Sequence, residues 1–405
     1  MKNRISSLDF LRGIAILIVL VNHCDSDNIV GFPDPESFGA FFRKIYWTIH
    51  QFGWSGVELF FVLSGFLISG ILFKEIEDKG TINLSRFWGR RFFKILPSYL
   101  FLLLVTFFTG ATSFVDTTSF SSSLKTLGVH LFFLQNYFAN PNGPTWSLAI
   151  EEHFYILLPL ILVFIYKKSN QGKKTIENNS VRVVFFTVFS LCFIFRFIHS
   201  SFFDLGINTN SLKNAFMESH FRFDALFFGV FLKYLHLTKS PLITIIRTNK
   251  FIFLTIALSF SVLSVFFSRN NYYMFNFGFI LLSIGYSILI TLLFGESFKS
   301  LDKTFLYGLI TKIGLYSYNI YLWHWAIPKM NFLYMNDIFL FLSNSSLGPN
   351  LTAIFQSLVF ILFGILAGFI LTKLIEDPFL KIRDRFFKSK YRISAPGVKT
   401  TATLN

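Results

Sequence analysis

The chain of 405 residues is 53% hydrophobic, has a mean hydropathy of +0.55 and carries only 15% charged residues. A soluble domain would carry about a quarter, and apolar runs recur from end to end, so composition points to a polytopic helical membrane protein. The runs are continuous rather than alternating, which argues against a β-barrel, and the net charge of +15 sits mostly between them, where it sets topology and meets lipid headgroups rather than nucleic acid.

In chain order the candidate spans are 8–24, 54–73, 92–110, 145–166, 183–199, 217–236, 251–267, 273–294, 313–333 and 351–374. Asp9 and Arg12 interrupt the start and no small-residue cleavage site follows, so the first run is expected to be a permanent span. Lys2 and Arg4 precede it and place the N-terminus in the cytoplasm. Loop 25–53, with four acids against Arg43 and Lys44, reads as external; Lys74–Arg91, Lys167–Lys174, Lys239–Lys250 and the tail from Lys373 read as cytoplasmic. That alternation holds only if 123–138 does not cross. The expected fold is therefore all-α: a polytopic transmembrane helical bundle of about ten spans, both termini cytoplasmic, with an interfacial or re-entrant helix near 123–138. A membrane domain over 1–380 is expected, followed by a basic cytoplasmic tail over 381–405. Cys24 and Cys192 lie in or beside apolar runs, and neither a disulfide framework nor a metal site is expected.

Several polar residues are costly in such a setting. Arg12 and His23 are eleven positions apart in the first span. At about 100° per residue they fall within roughly 20° of the same face, about 16 Å apart along the axis. Intramembrane charge usually faces a bundle interior and marks a pathway or reaction centre; the bland alternative is a snorkelling arginine and an imidazole wet at the interface. Glu58 sits early in the apolar second span, where Ser64 and Gly65 suit close helix packing. Arg86, Arg90, Arg91 and Lys94 form a basic cluster that either anchors the chain or binds a phosphate-rich ligand. Ser147 and Glu151 are one turn apart at the start of the fourth span and are expected to line one cavity. Arg222 and Asp224 are i,i+2 and pair poorly with each other, so each is expected to face another partner. Tyr321 and His324 share a face of the ninth span. His50, His130, His199 and His236 read as interfacial.

Taken together, seven stretches resemble the integral-membrane acyltransferase family 3, of the polysaccharide O-acyltransferase type. They are Leu8-Asp-Phe-Leu-Arg12 with its spacing to His23, Gly56–Leu67, Arg90–Pro97, Trp146–Tyr155, Arg222-Phe-Asp224, Gly314–His324 and Glu376-Asp-Pro378. Each is short, but their order and positions are specific. The resemblance implies a bacterial inner-membrane enzyme that moves an acyl group, usually acetyl, from cytoplasmic acyl-CoA to a sugar hydroxyl on the far side, with no permanently bound cofactor. Its acceptors would be surface polysaccharide or a lipid-linked glycan, such as lipopolysaccharide O-antigen or exopolysaccharide. It implies His23 as catalytic histidine and Arg12 as its motif partner, with Glu151, Arg222 and Asp224 as further polar positions. On that basis Arg12, Arg90 and Arg91 are expected to hold CoA phosphates and His23 to act as general base. Glu151 is expected to orient the imidazole; an acyl-histidine route stays open. Asp9, Glu58, Ser147, Arg222, Asp224, Tyr321 and His324 are expected to serve the substrate or the polar framework. The competing function is a transporter or flippase for a lipid-linked glycan, against which stands the lack of a duplicated, broken-helix pattern.

Overall fold

An apolar chain in a bilayer must satisfy its backbone within each segment, and helices do so. Among the described residues there are helices and turns but no strand. The structure is a computed structural model that describes residues 5–24, 48, 50–109, 120–138, 143–168, 179–203, 215–267, 269, 271–294, 303–326, 341, 342, 344 and 348–387. The helices are α1 (Ser6–His23), α2 (Gly56–Lys79), α3 (Leu84–Thr109), α4 (Phe120–Leu131), α5 (Gln135–Phe138), α6 (Thr145–Lys168), α7 (Asn179–Phe203) and α8 (Ser219–Leu237). They continue with α9 (Pro241–Thr248), α10 (Lys250–Phe266), α11 (Phe279–Leu293), α12 (Phe305–Leu315), α13 (Ser317–Trp323), α14 (Gly348–Leu371) and α15 (Asp377–Phe386). Single π-turns, Met274–Gly278 and Thr372–Glu376, lead into α11 and α15.

Seven helical segments among the described residues are long and apolar enough to cross a membrane, and an eighth is added if α9 and α10, bent by 94°, form one span. Two of the ten sequence spans therefore fall outside this set, for physical reasons. Helix α8 carries Arg222, Asp224 and Lys233 besides two histidines and is too polar by composition, yet all three charges are buried against neighbours. The ninth span, expected over 313–333, starts in the end of the eleven-residue α12, breaks at Tyr316 and continues in the seven-residue α13, and its residues 327–333 lie outside the described residues. The 123–138 stretch forms α4, only twelve residues long, a left-handed turn at Phe133 (φ 56°) and the four-residue α5. At about 1.5 Å per residue, α4 is too short to cross. Most of loop 25–53 and of the Lys167–Lys174 loop lies outside the described residues. Residues 381–386 belong to α15, and Asp384 meets Arg90 of α3; the expected tail from 388 onward lies outside the described residues.

Close helix contact is made where side chains vanish. A Cβ on Gly65 of α2 would lie 1.9 Å from the Leu226 carbonyl oxygen of α8, and one on Gly229 would lie 2.1 Å from the Val62 carbonyl oxygen. These two glycines let α2 and α8 touch backbone to backbone, as small residues do in membrane bundles. The same device joins α1 to α12, where a Cβ on Gly314 would meet the Asp9 carbonyl oxygen at 1.8 Å and one on Gly13 the Ile310 carbonyl oxygen at 2.1 Å. Helix α1 also packs on α2, α13 and α14. The helix that carries Arg12 and His23 is thus held in the interior, with Ala15, Ile16, Val19 and Leu20 fully buried.

Candidate active site

Two cavities lie along α1. One, about 80 Å³, is lined by Arg12, Val57, Phe60, Phe61, Ser64, Ser147, Leu148, Glu151, Ser317, Tyr318 and Tyr321. The other, about 20 Å³, is lined by Val19, Asn22, His23, Trp54, Val57, Trp146, Phe216, Arg222, Arg269 and Tyr321. Each is large enough for water, and Val57 and Tyr321 line both. The helical period thus places Arg12 and His23 on an interior stripe, one in each of two adjoining chambers.

His23 faces a second imidazole. Its Nδ1 is 3.0 Å from Nε2 of His324, and Nδ1 of His324 is 2.6 Å from the Tyr321 carbonyl oxygen. A carbonyl only accepts, so His324 Nδ1 carries a hydrogen. Neutral His324 then offers its lone pair at Nε2, and His23 Nδ1 must donate to it. The lone pair of His23 is left at Nε2, the atom of that ring on which a proton can be taken up. The break at Tyr316 matters here: it starts a new short helix whose end delivers both the Tyr321 carbonyl and His324 to α1. Trp325 adds an edge contact to His23 at 5.3 Å between ring centroids.

The carboxylate expected to orient His23 lies elsewhere. Glu151 accepts from Ser64 Oγ at 3.0 Å and from Tyr155 Oη at 2.6 Å. It shares its chamber with Arg12 and Ser147, as the one-turn spacing of Ser147 and Glu151 predicts, and interacts electrostatically with Arg12 and Arg91. Ser147 Oγ and Tyr321 Oη are 2.6 Å apart, and each also reaches the Pro144 carbonyl oxygen. Asp9 lies 3.9 Å from Arg12 on the preceding turn of α1. The two arginines of the basic cluster diverge. Arg90 bonds Asp384 and the Phe387 carbonyl oxygen at the C-terminal helix. Arg91 stacks over Tyr155, 5.3 Å from its centroid, beside Glu151, Glu152 and Arg12.

Arg222 and Asp224 each have a partner on another helix. Arg222 pairs with Glu58, which also accepts from Ser283 Oγ at 2.6 Å. Asp224 pairs with Arg196 at 2.6 Å, and Arg196 also donates to the Phe221 carbonyl oxygen at 2.8 Å. All four charges are at most 2% exposed. A buried charge survives only when paired and hydrogen-bonded, and here two cations balance two carboxylates. Arg196 was hidden in an apolar run; a lone guanidinium in such a run is itself the signal that a buried acid awaits it. Glu376 is likewise a framework residue, tied to Lys94 and to Asn319 Nδ2 at 2.7 Å. His130, expected at an interface, is 3% exposed, and burial pushes its imidazole below its ordinary value.

Among the described residues no His/Cys/Asp/Glu group has the arrangement of a metal site. The described groups along the two chambers are a histidine pair, hydroxyls, a carboxylate and guanidinium groups. The chain is 28% identical over 355 residues to a protein of Staphylococcus aureus strain COL provisionally named an O-acetyltransferase, covering 82% of this chain and 52% of that protein. It is 25% identical over 340 residues to the O-acetyltransferase OatA of S. aureus strain NCTC 8325, covering 79% and 50%. An uncharacterised protein of Haemophilus influenzae strain Rd is 29% identical over 196 residues, covering 44% and 74%. The chain spans about half the length of the S. aureus relatives it matches. No solved structure matches it. A family model described as an acyltransferase domain matches residues 5–375, and the chain belongs to that family, the integral-membrane acyltransferases of family 3.

Proposed function

We propose that this protein is a multi-pass O-acyltransferase of the bacterial inner (cytoplasmic) membrane. It moves an acyl group, acetyl in the first instance, from cytoplasmic acyl-CoA to a sugar hydroxyl of a surface polysaccharide or lipid-linked glycan on the other side. The observation that carries this reading is the relay from the Tyr321 carbonyl through His324 to His23, at the head of a passage whose other chamber holds Arg12. Arg12 and Arg91 meet the CoA phosphates, and the thioester extends past Val57 and Tyr321 toward His23. His23 Nε2 takes the proton of the sugar hydroxyl as its oxygen attacks the thioester carbonyl. The tetrahedral intermediate then expels the thiolate, which recovers the proton from His23. His324 accepts the Nδ1 hydrogen throughout, holding one tautomer as the carboxylate does in a hydrolase triad. Glu151, tied to Ser64 and Tyr155, shapes the donor chamber instead.

The test is His23→Ala in the full chain, read as labelled acetyl moved from acetyl-CoA into surface glycan. Loss of a positioned general base lowers transfer about 10²–10⁴-fold, with the amount of protein in the membrane unchanged. Full activity in that variant removes the assignment.

A further inference from the structure

Among the described residues, the chamber around His23 contains more positive charge than its own residues neutralise. Arg222 is balanced by Glu58. Arg269, in the turn after α10, also lines the chamber, stacks over Phe216 at 4.7 Å and has no carboxylate partner among the described residues. Burial, the largest cause, lowers the affinity of its guanidinium for the proton, Tyr321 opposes that shift and Arg222 adds to it. Among the described residues no carboxylate lines this chamber, and two lining residues hold buried hydrogen-bond donors without a partner there, Trp54 Nε1 and Arg222 Nε. Trp and Arg side chains donate and cannot accept. Arg269 is half-buried, and the buried donors of Trp54 and Arg222 in the same chamber are costly unless a ligand accepts from them. Arg269 lines the His23 chamber and is absent from the chamber of Arg12, so it meets what arrives opposite the donor.

We infer that Arg269, with Arg222 and Trp54, forms an anion-binding subsite beside His23, and that the acceptor is an acidic glycan whose carboxylate or phosphate group docks there. This rests on the transfer reading only in calling the bound molecule an acceptor. Guanidinium forks suit both anions.

The experiment uses the full chain in phosphatidylcholine nanodiscs, which supply no anionic headgroup. Thermal unfolding midpoints are measured at constant ionic strength with sodium glucuronate, glucose 6-phosphate or glucose. Either acid raises the midpoint, glucose does not, Arg269→Gln abolishes the rise and Arg269→Lys keeps part of it. The acid with the larger effect identifies carboxylate or phosphate as the group. His23→Ala abolishes transfer and retains the rise, so failure of the transfer reading is distinguishable from failure here. No response to either acid, an equal response to glucose, or a full response in Arg269→Gln overturns the inference. In transfer assays Arg269→Gln raises the KM for the glycan about tenfold, the scale of one charge-assisted contact. A loss confined to kcat instead assigns Arg269 to the developing oxyanion and overturns the acceptor role.

Discussion

The two chambers along α1 are furnished differently. In the Arg12 chamber the cation has acids nearby, Asp9 and Glu151, and Glu151 is satisfied by two hydroxyls. In the His23 chamber no acid is found among the described residues; its polar groups are an imidazole, two indoles, two guanidinium groups, the Asn22 amide and the Tyr321 hydroxyl, and Arg269 has no carboxylate partner among those residues. On the proposed reading the first holds the charged donor, and the second takes up the proton and meets the acceptor. Under that proposal, donor and acceptor meet different surroundings, and the asymmetry is what would tell one from the other.

The comparison breaks most sharply at His324. Removing the acceptor of the His23 Nδ1 hydrogen in His324→Ala should lower kcat about 10–100-fold, the scale on which supporting residues act. His324→Asn, whose side-chain carbonyl also accepts, should recover part of that loss; equal loss in both variants would make His324 a packing residue. The donor side is tested next. Arg12→Ala should raise the KM for acyl-CoA about tenfold with the glycan KM unchanged, and an unchanged dependence on acyl-CoA would dissolve the division between chambers. The smallest effect is expected at Arg90. Its pair with the half-exposed Asp384 is a surface ion pair, so Arg90→Ala should cost about 0–1 kcal/mol of stability by unfolding and leave the acyl-CoA KM alone. A raised KM there would return Arg90 to the donor site beside Arg91.

What the sequence discloses here follows from which contacts are local. Arg12 and His23 share a helix, so period alone aligns them. Ser147 and Glu151 share one too, and their common chamber was readable. The i,i+2 spacing of Arg222 and Asp224 points to an outside partner for each, but not which: Glu58 comes from α2, 164 residues away, and Arg196 from the preceding α7, 28 residues from Asp224, and tertiary pairing has no period. His324 lay within an aromatic run that also suits an interfacial belt, which hid its bond to His23. Glu151 was assigned to His23 on the strength of chemistry alone; its actual neighbours, Ser64 and Tyr155, are set by how α2 and α6 pack. Arg269 sits in a short turn with no motif around it, and only folding brings it over the chamber.

The glycine seam between α1 and α12 has a mechanical consequence. With the Asp9 and Ile310 carbonyls pressed onto Gly314 and Gly13, a methyl group at either glycine would wedge α1 away from α12. The same wedge would carry Arg12 and His23 out of register with Val57 and Tyr321, the two side chains that border both rooms.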